Sequence, residues 1–474
     1  MKKIFHPVFI LFFYCCAVIA QQTNEGRFLN FSDIHFDPFY DTVLVEKLIH
    51  SDYQEWESIF SASGYTTLGK YGEDTDFRLF RSVMTEMKMR IPGPEFIIIT
   101  GDFMSHNFNE NYKEFSGSDD TDSLNMFIKK TMQFVTSYIL KYYPATMIFP
   151  MVGNDDAFCG NYMIEPDGEF LKMLSEEWAP LVNGDHPWEF RVNGEGINRS
   201  FAKDFSKGGY CLLNFPENNN LKMIILNTVF FSTNYKNVCG DSLQDPGDEE
   251  LRWLRNTLKQ CRDSGNNVWL SYHIPPGIDI FGTINGKGSC EDKIFPTWKE
   301  KYNAVFLNLM REYSGIINSG FAGHFHRDDF RVIYDSGKPV SYIHITPSVS
   351  PIYGNNPSYQ IIEYDKNNFE LKNFQTYYLK DFTKPDSAYW TFEYDFKNSY
   401  DQNFISPESY DKISKLILAD STYRKKYIGY YRSGDMETFS KDYDNWYYNW
   451  CGFGHLTAGE YAECICKDSL MNKK

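Results

Sequence analysis

The chain has 474 residues, enough for one large domain or two ordinary ones, and its 42% hydrophobic and 18% aromatic content can fill a sizeable core. Its formal net charge is −16 and it shows no basic stripe, which excludes duplex nucleic acid as a ligand because too few cations would face the phosphates. A small phosphorylated substrate is not excluded, since a bound cation can supply local positive charge.

At the start of the chain, Lys2 and Lys3 precede an apolar run from Val8 to Ile19, with Val18 and Ala20 at the offsets that signal peptidase reads. The run falls short of the roughly 18 residues a spanning helix needs. Residues 1–20 are therefore read as a cleaved signal peptide and the protein as secreted or luminal, endolysosomal compartments included. Five short apolar runs follow, each read as a strand from its length and β-branched or bulky content. The run Phe28 to Ser32 meets Asp33; Phe96 to Gly101 meets Asp102; the run from Met147 through Gly153 meets Asn154; Val268 to Tyr272 meets His273; Ile316 to Gly323 meets His324. Helical patterns lie between them, the clearest opening at Asp248, Glu249 and Glu250 with Leu251, Leu254 and Leu258 on one face. Alternating strands and helices predict an α/β sandwich on a mostly parallel sheet, with the ligand crevice at the carboxyl ends of the strands.

Asp, Asp, Asn, His and His at one crevice mix hard oxygen donors with imidazoles, the donor set of a divalent-metal site with room for two ions. Asp33-Ile34-His35 places two donors at i and i+2, Asp102 offers a carboxylate that can bridge, and His324-Phe325-His326 puts two imidazoles on one side of an extended segment. Taken singly, each is more often a turn residue or a solvated histidine, by about two to one. Five in order, each at a strand end, reverse that preference.

The ordered set, with "DIHFD" (33–37), "TGDFMSH" (100–106), "DPGDEELRWL" (245–254), "HIPPG" (273–277) and "AGHFHRDDF" (322–330), resembles the calcineurin-like metallophosphoesterases and, within them, the acid sphingomyelinase-like phosphodiesterase family. The resemblance runs from about Phe28 to the C-terminal cysteines. It implies a metallophosphoesterase β-sandwich flanked by helices, with a small helical C-terminal subdomain. The expected division is a catalytic domain over 21–385 and the subdomain over 386–474, whose helical spacing shows in Ile413, Leu416 and Ile417. The acid sphingomyelinase branch carries an N-terminal saposin-like domain, and the first strand here follows the signal too closely to leave space for one. The resemblance is thus to the sphingomyelinase-like phosphodiesterases, which implies soluble phosphodiester and phosphoanhydride substrates such as nucleotides and nucleotide–choline conjugates. Membrane lipid comes second as a partner, and a monomer is expected.

By that resemblance Asp33, His35 and His326 would hold one divalent ion, Asn154, His273 and His324 the other, with Asp102 bridging. Zinc is the expected ion, although carboxylate-rich sites also accept manganese or iron. His106 matches a histidine that the family places beside the substrate. The pattern after Gly153-Asn154 departs from the family: a histidine is expected and Asp155 stands there. A carboxylate repels phosphate unless protonated, so either the site works in acid with Asp155 as the proton donor, or His106 donates alone, or activity is lost. Asp156 is expected to matter less than Asp102.

Of ten cysteines, Cys15 and Cys16 leave with the signal, and the remaining eight suit disulfides in an oxidising compartment. The resemblance pairs Cys239 with Cys290 and Cys451 with Cys464, and leaves Cys159, Cys211, Cys261 and Cys466 unassigned. Asn198-Arg199-Ser200 reads as a glycosylation acceptor in a polar loop, whereas Asn30-Phe31-Ser32 lies in an apolar strand. The aromatics Trp446, Tyr447, Tyr448 and Trp450 suit core packing better than ligand stacking. Three readings of function stand: a metal-dependent phosphodiesterase acting by metal-activated water, a sphingomyelin phosphodiesterase, and a metal-binding protein without turnover.

Overall fold

The structure, a computed structural model, describes residues 24–184, 197–216, 218–237, 245–384, 387–434 and 439–467. The signal segment and Cys239 lie outside the described residues. Two six-stranded sheets form, rather than one mostly parallel sheet. The first holds β1 (Glu25–Phe31), β2 (Phe96–Ile99) and β3 (Met147–Pro150), and the second holds β4 (Cys211–Phe215), β5 (Asn218–Ile225), β6 (Asn267–Ser271), β7 (Ile317–Ala322), β8 (Asp329–Asp335) and β9 (Lys338–Ile345). The chain then returns to the first sheet with β10 (Ser358–Asp365), β11 (Leu371–Lys380) and β12 (Tyr389–Asp395).

The sheet orders are β12-β11-β10-β1-β2-β3 and β4-β5-β6-β7-β9-β8. In the first, β1, β2 and β3 are parallel, with Leu29 opposite Ile97 and Ile97 opposite Ile148, while β10, β11 and β12 add antiparallel. In the second, β5, β6, β7 and β9 are parallel, and β4 and β8 pair antiparallel at the two edges. The expected parallel core is therefore split in two. Of the runs predicted as strands, β1, β2, β6 and β7 lie inside their sheets and β3 at an edge of the first; all five are buried nearly throughout and so read as apolar stretches.

Aromatic rings knit the sheets together. Phe28 on β1 lies 5.4 Å from Trp269 on β6 and 5.9 Å from Phe321 on β7, and Phe96 on β2 lies 5.0 Å from Phe215 on β4. Trp269 is fully buried and also touches Tyr364 on β10 at 5.3 Å. Offset and edge-on pairs of this kind fill a sandwich interior while keeping specific geometry. Helices flank the sheets: Glu169–Asn183 packs on β3, Pro246–Asp263 on β6 and Glu300–Glu312 on β8. The helix read from Asp248 carries Leu251, Leu254 and Leu258 inward, with Asp248 and Glu249 in its first turn where the helix dipole favours them. Among the described residues no helix is long and apolar enough to cross a membrane.

Past residue 385 the chain first supplies β12, and helices begin only at Phe396. Pro407–Ala419, Ser421–Tyr431, Trp446–Gly454 and Ala458–Lys467 follow. Ile413 and Ile417 are buried. The aromatic run packs as expected: Tyr447 is buried and stacks on Trp450 at 5.4 Å, and the Arg424 guanidinium sits 3.7 Å from the Trp446 ring centre.

Two cysteine and glycan expectations change. Cys451 pairs with Cys464, but Cys290 pairs with Cys466, not with Cys239. The reason is placement: the loop carrying Cys290 lies against the last helix, where the Cys290 and Cys466 Cα atoms are 5.8 Å apart. Cys159 is disulfide-bonded, while Cys211 and Cys261 are free and buried. Asn198 is not in a solvated loop. It is 4% exposed, donates its amide to Val182 O at 2.8 Å and accepts from Asn214 N at 2.7 Å, so a glycan there would break this anchor. Peptide mapping without reduction is expected to recover Cys290–Cys466 and Cys451–Cys464 linkages, with Cys211 and Cys261 alkylated only after denaturation. A Cys239–Cys290 peptide would contradict this arrangement.

Candidate metal centre and cleft

The carboxyl ends of β1, β2 and β3 in one sheet and of β6 and β7 in the other point to a common place. Asp33, Asp102, Asn154, His273, His324 and His326 each stand just past one of these ends, and His35 follows Asp33 by two residues. All seven residues read from the sequence meet there. His35 Nε2 lies 3.2 Å from His326 Nε2, 3.4 Å from Asp102 Oδ2 and 3.8 Å from Asp33 Oδ1. His326 Nε2 lies 3.3 Å from Asp33 Oδ1. On the other side, His273 Nε2 lies 3.0 Å from Asp102 Oδ2 and 3.1 Å from Asn154 Oδ1. The donor atoms of Asp102, His273 and His324 lie within 4.8 Å of one another, as do those of Asp33, His35 and Asp102. Asp102 belongs to both groups.

Backbone geometry shows how much is spent to hold them. Asp33, His35, Asp102, His324 and His326 all have positive φ, between 42° and 73°. For residues with a Cβ this left-handed region is disfavoured by roughly 1–2 kcal/mol each. Two glycines make room. A Cβ on Gly101 would come 2.7 Å from His273 Nδ1, and one on Gly153 would collide with the Asp102 carboxylate.

The donor set fits divalent cations. His273 Nδ1 donates to Thr100 O at 2.6 Å and His35 Nδ1 to Met104 O at 2.9 Å. These bonds fix the tautomers and leave each Nε2 as a lone pair facing other lone pairs. Bare nitrogens and carboxylate oxygens at about 3 Å repel unless a cation stands among them, and two groups sharing one carboxylate call for two.

Without ions, protons take that part. Burial opposes charge on His273, yet the Asp102 and Asp33 carboxylates carry its pKa up to about 9. His35 is likewise raised against burial, by Asp102 and then Asp33. Asp102 is held well below the usual carboxylate range, burial notwithstanding, by His273 and His35. Burial and the neighbouring His273 push His324 down to about 4. Burial, with Asp102 beside it, pushes Asp155 well up, and the same causes bring Asp156 to about 6.

Asp74 carried no sequence signal, and Asp156 and His106 have partners that the sequence did not indicate. Asp156, set aside in the sequence reading, is fully buried and accepts from Phe103 N at 2.9 Å, Met104 N at 3.1 Å and Gly153 N at 2.9 Å, tying the Asp102 loop to the Asn154 loop. Asp74 receives His106 N at 2.8 Å and His106 Nδ1 at 3.1 Å, and Ser350 Oγ at 3.0 Å. His106 stacks on His35 with ring centres 4.0 Å apart, and its Nε2 lies 3.3 Å from Tyr353 Oη and 3.8 Å from Asp155 Oδ2. Beside His324 opens a cleft of about 250 Å³ whose walls include Tyr162, Phe281, Arg327, Arg331, Tyr353 and Arg432. Asp279 and Asp442 line the same cleft, so the three arginines there are partly balanced.

The family model for the acid sphingomyelin phosphodiesterase C-terminal region matches residues 338–471. Sphingomyelinase phosphodiesterase D of Dictyostelium discoideum is 26% identical over 90% of this chain and 92% of its own length. Acid sphingomyelinase-like phosphodiesterase 3b of Mus musculus is 26% identical over 93% and 90%, and cyclic GMP-AMP phosphodiesterase SMPDL3A of Homo sapiens 24% over 93% and 90%. The chain is a relative of the acid sphingomyelinase-like phosphodiesterases. Among solved structures, a dimetal phosphatase from Danio rerio aligns with 74% of this chain and 95% of its own, at a TM-score of 0.38 and 11% identity.

The histidine shift predicts a pH-dependent response to metal. His273 titrates near 9 in the folded, metal-stripped protein and near 6.5 unfolded. Its protonation therefore stabilises the stripped fold fully below pH 6.5, and that contribution disappears as pH rises through 9. An added divalent ion replaces the proton. The gap in melting temperature between metal-loaded and stripped protein is expected to widen from pH 6.5 to 9. Melts showing a constant gap would count against the assignment.

Proposed function

We propose that this relative of the acid sphingomyelinase-like phosphodiesterases is a secreted or luminal dinuclear-metal phosphodiesterase that hydrolyses soluble phosphodiesters or phosphoanhydrides, nucleotides and nucleotide–choline conjugates among them. The observation that carries the reading is a seven-residue donor set divided by one shared carboxylate, beside a cleft lined with arginine and aromatic side chains. Its similarity to Sphingomyelinase phosphodiesterase D and to cyclic GMP-AMP phosphodiesterase SMPDL3A lends support. Disulfides point to an oxidising compartment. The catalytic part would run past the expected boundary at 385 to take in β12, and the helical C-terminal subdomain would begin at Phe396.

Asp33, His35 and His326 would hold one ion and Asn154, His273 and His324 the other, with Asp102 between, and the imidazole content favours zinc. When bound, such a pair supplies an activated water and neutralises charge on the phosphoryl oxygens. The chain's own contribution is orientation and a proton. Asp74, 7% exposed and anchored by Ser350, grips the His106 backbone and Nδ1, so that Nε2 faces the site. His106 then donates from Nε2 to the leaving oxygen. Asp155 is engaged elsewhere, its Oδ2 accepting from Asn154 Nδ2 at 3.0 Å. Arg327 on the cleft wall would face the rest of an anionic substrate, while Arg331 and Arg432 there are paired with Asp329 and Asp442.

A lipid-borne phosphodiester such as sphingomyelin is the second reading, favoured by one observation: Phe281, on the cleft wall, is 61% exposed, and Phe295 nearby is 45% exposed.

Nucleoside triphosphate, CDP-choline, bis(p-nitrophenyl) phosphate and sphingomyelin micelles form a discriminating panel. The soluble compounds are expected to turn over fastest. Preference for micelles would favour the second reading, and no turnover of any with two ions bound would leave a metal-binding protein. Asp102→Asn is expected to lose both ions and turnover. His106→Ala should slow hydrolysis of poor leaving groups by roughly 10²- to 10⁴-fold, the range of a general acid, and p-nitrophenyl esters far less. Equal losses on both would remove His106 from the proton-donor role.

A further inference from the structure

Asn154 is a ligand whose chemistry depends on which way its amide points. Its Oδ1 lies 3.1 Å from His273 Nε2, on the metal side, while Nδ2 donates to two acceptors, Asp155 Oδ2 at 3.0 Å and Asn161 Oδ1 at 3.0 Å. An amide nitrogen has two hydrogens to place and no lone pair for a cation. Turned by half a revolution, the same side chain would set Oδ1 against two oxygens and withdraw the metal-facing donor. Both acceptors thus act on a single choice.

The backbone delivers these acceptors independently. Asp155 N donates to Asp102 Oδ1 at 2.9 Å, which pins Asp155 next to the shared carboxylate. Tyr162 N donates to Asn154 O at 2.8 Å, folding the following loop back so that Asn161 meets Asn154 again. Tyr162 has φ 61°, a left-handed turn that a tyrosine adopts only at a cost. Asn161 is itself exposed and contributes nothing to a core.

We infer that Asn161 and Asp155 are positioning residues that hold the Asn154 oxygen on the second metal, Asn161 being the partner not otherwise tied to the centre. This gives Asp155 a use that a histidine would serve less well, since a carboxyl group keeps an acceptor oxygen for the Asn154 amide in either protonation state whereas a neutral imidazole has a single acceptor nitrogen. The inference rests on the two-ion reading above.

The test uses full-length mature protein, stripped with chelator and titrated with zinc against a competing chelator, for wild type, Asn161→Leu and Asn161→Asp. Because Asn161 is exposed, all three should melt alike without metal. Asn161→Leu is expected to weaken one of the two ions by roughly 10- to 100-fold, the usual effect of losing an outer partner of a ligand, and to leave the other unchanged. Asn161→Asp keeps an acceptor oxygen and should restore tight binding of both. With cobalt(II) in place of zinc, the visible absorption of one site should change in Asn161→Leu and return in Asn161→Asp. The inference is overturned if Asn161→Leu binds both ions as tightly as wild type, or if Asn161→Asp is no better than Asn161→Leu. A wild type that binds fewer than two ions would instead sink the two-ion reading itself.

Discussion

The structure depends on one constraint: lone pairs and carboxylates that repel one another must be held about 3 Å apart without collapsing or splaying. His35 Nε2 and His326 Nε2 face each other at 3.2 Å, with Asp33 and Asp102 beside them. Without a cation or a proton among these groups, nothing in that arrangement is favourable. It is imposed by strand ends that turn into the left-handed region at Asp33, His35, Asp102, His324 and His326. Strain and charge repulsion of this kind persist only where surrounding structure over-determines the geometry.

That surrounding structure is the inter-sheet aromatic core. Three of the donor-bearing ends come from the first sheet and two from the second, so any sliding between sheets would pull Asp33 and Asp102 away from His273 and His326. Trp269, wedged among Phe28, Phe96, Phe215, Phe321 and Tyr364, resists such sliding because each ring is trapped by rings of the opposite sheet. A close-packed interior transmits rather than absorbs displacement. Asp156 closes the frame within the first sheet by holding the Asp102 and Asn154 loops to one carboxylate.

What the sequence disclosed follows the range of each signal. An apolar run ending in Asp, Asn or His is a local pattern, so the seven side chains that converge and their strand-end placement were legible. The division into two sheets was not, because β10 to β12 return to the first sheet only through pairings such as Ile362 with Phe28, more than 300 residues apart in sequence. Asp74 and Asn161 lack any local mark, as each is an acid or amide in a polar loop until folding sets it against His106 or Asn154. The Cys290–Cys466 pairing spans 176 residues and was mispaired for the same reason. Asn198 followed a three-residue rule that does not register burial.

The C-terminal region completes the centre from outside. Immediately after His326, Asp328 Oδ2 accepts from Gln360 on β10, Thr376 on β11 and Tyr394 on β12, and Asp329 Oδ1 accepts from Tyr427 on the helix Ser421–Tyr431. Arg327 NH2 donates to Tyr353 O at 3.0 Å, and Arg432, ion-paired with Asp442, donates to the same carbonyl. The loop that aims His326 is thus gripped by the first sheet and the C-terminal helices together, and Tyr353, which reaches His106, is held by the same two arginines. A turn carrying two buried carboxylates would be costly alone, since each needs partners to offset lost hydration. Here those partners come from elements remote in sequence, so the left-handed backbone at His326 is held by chain that the apolar strands alone would never have brought there.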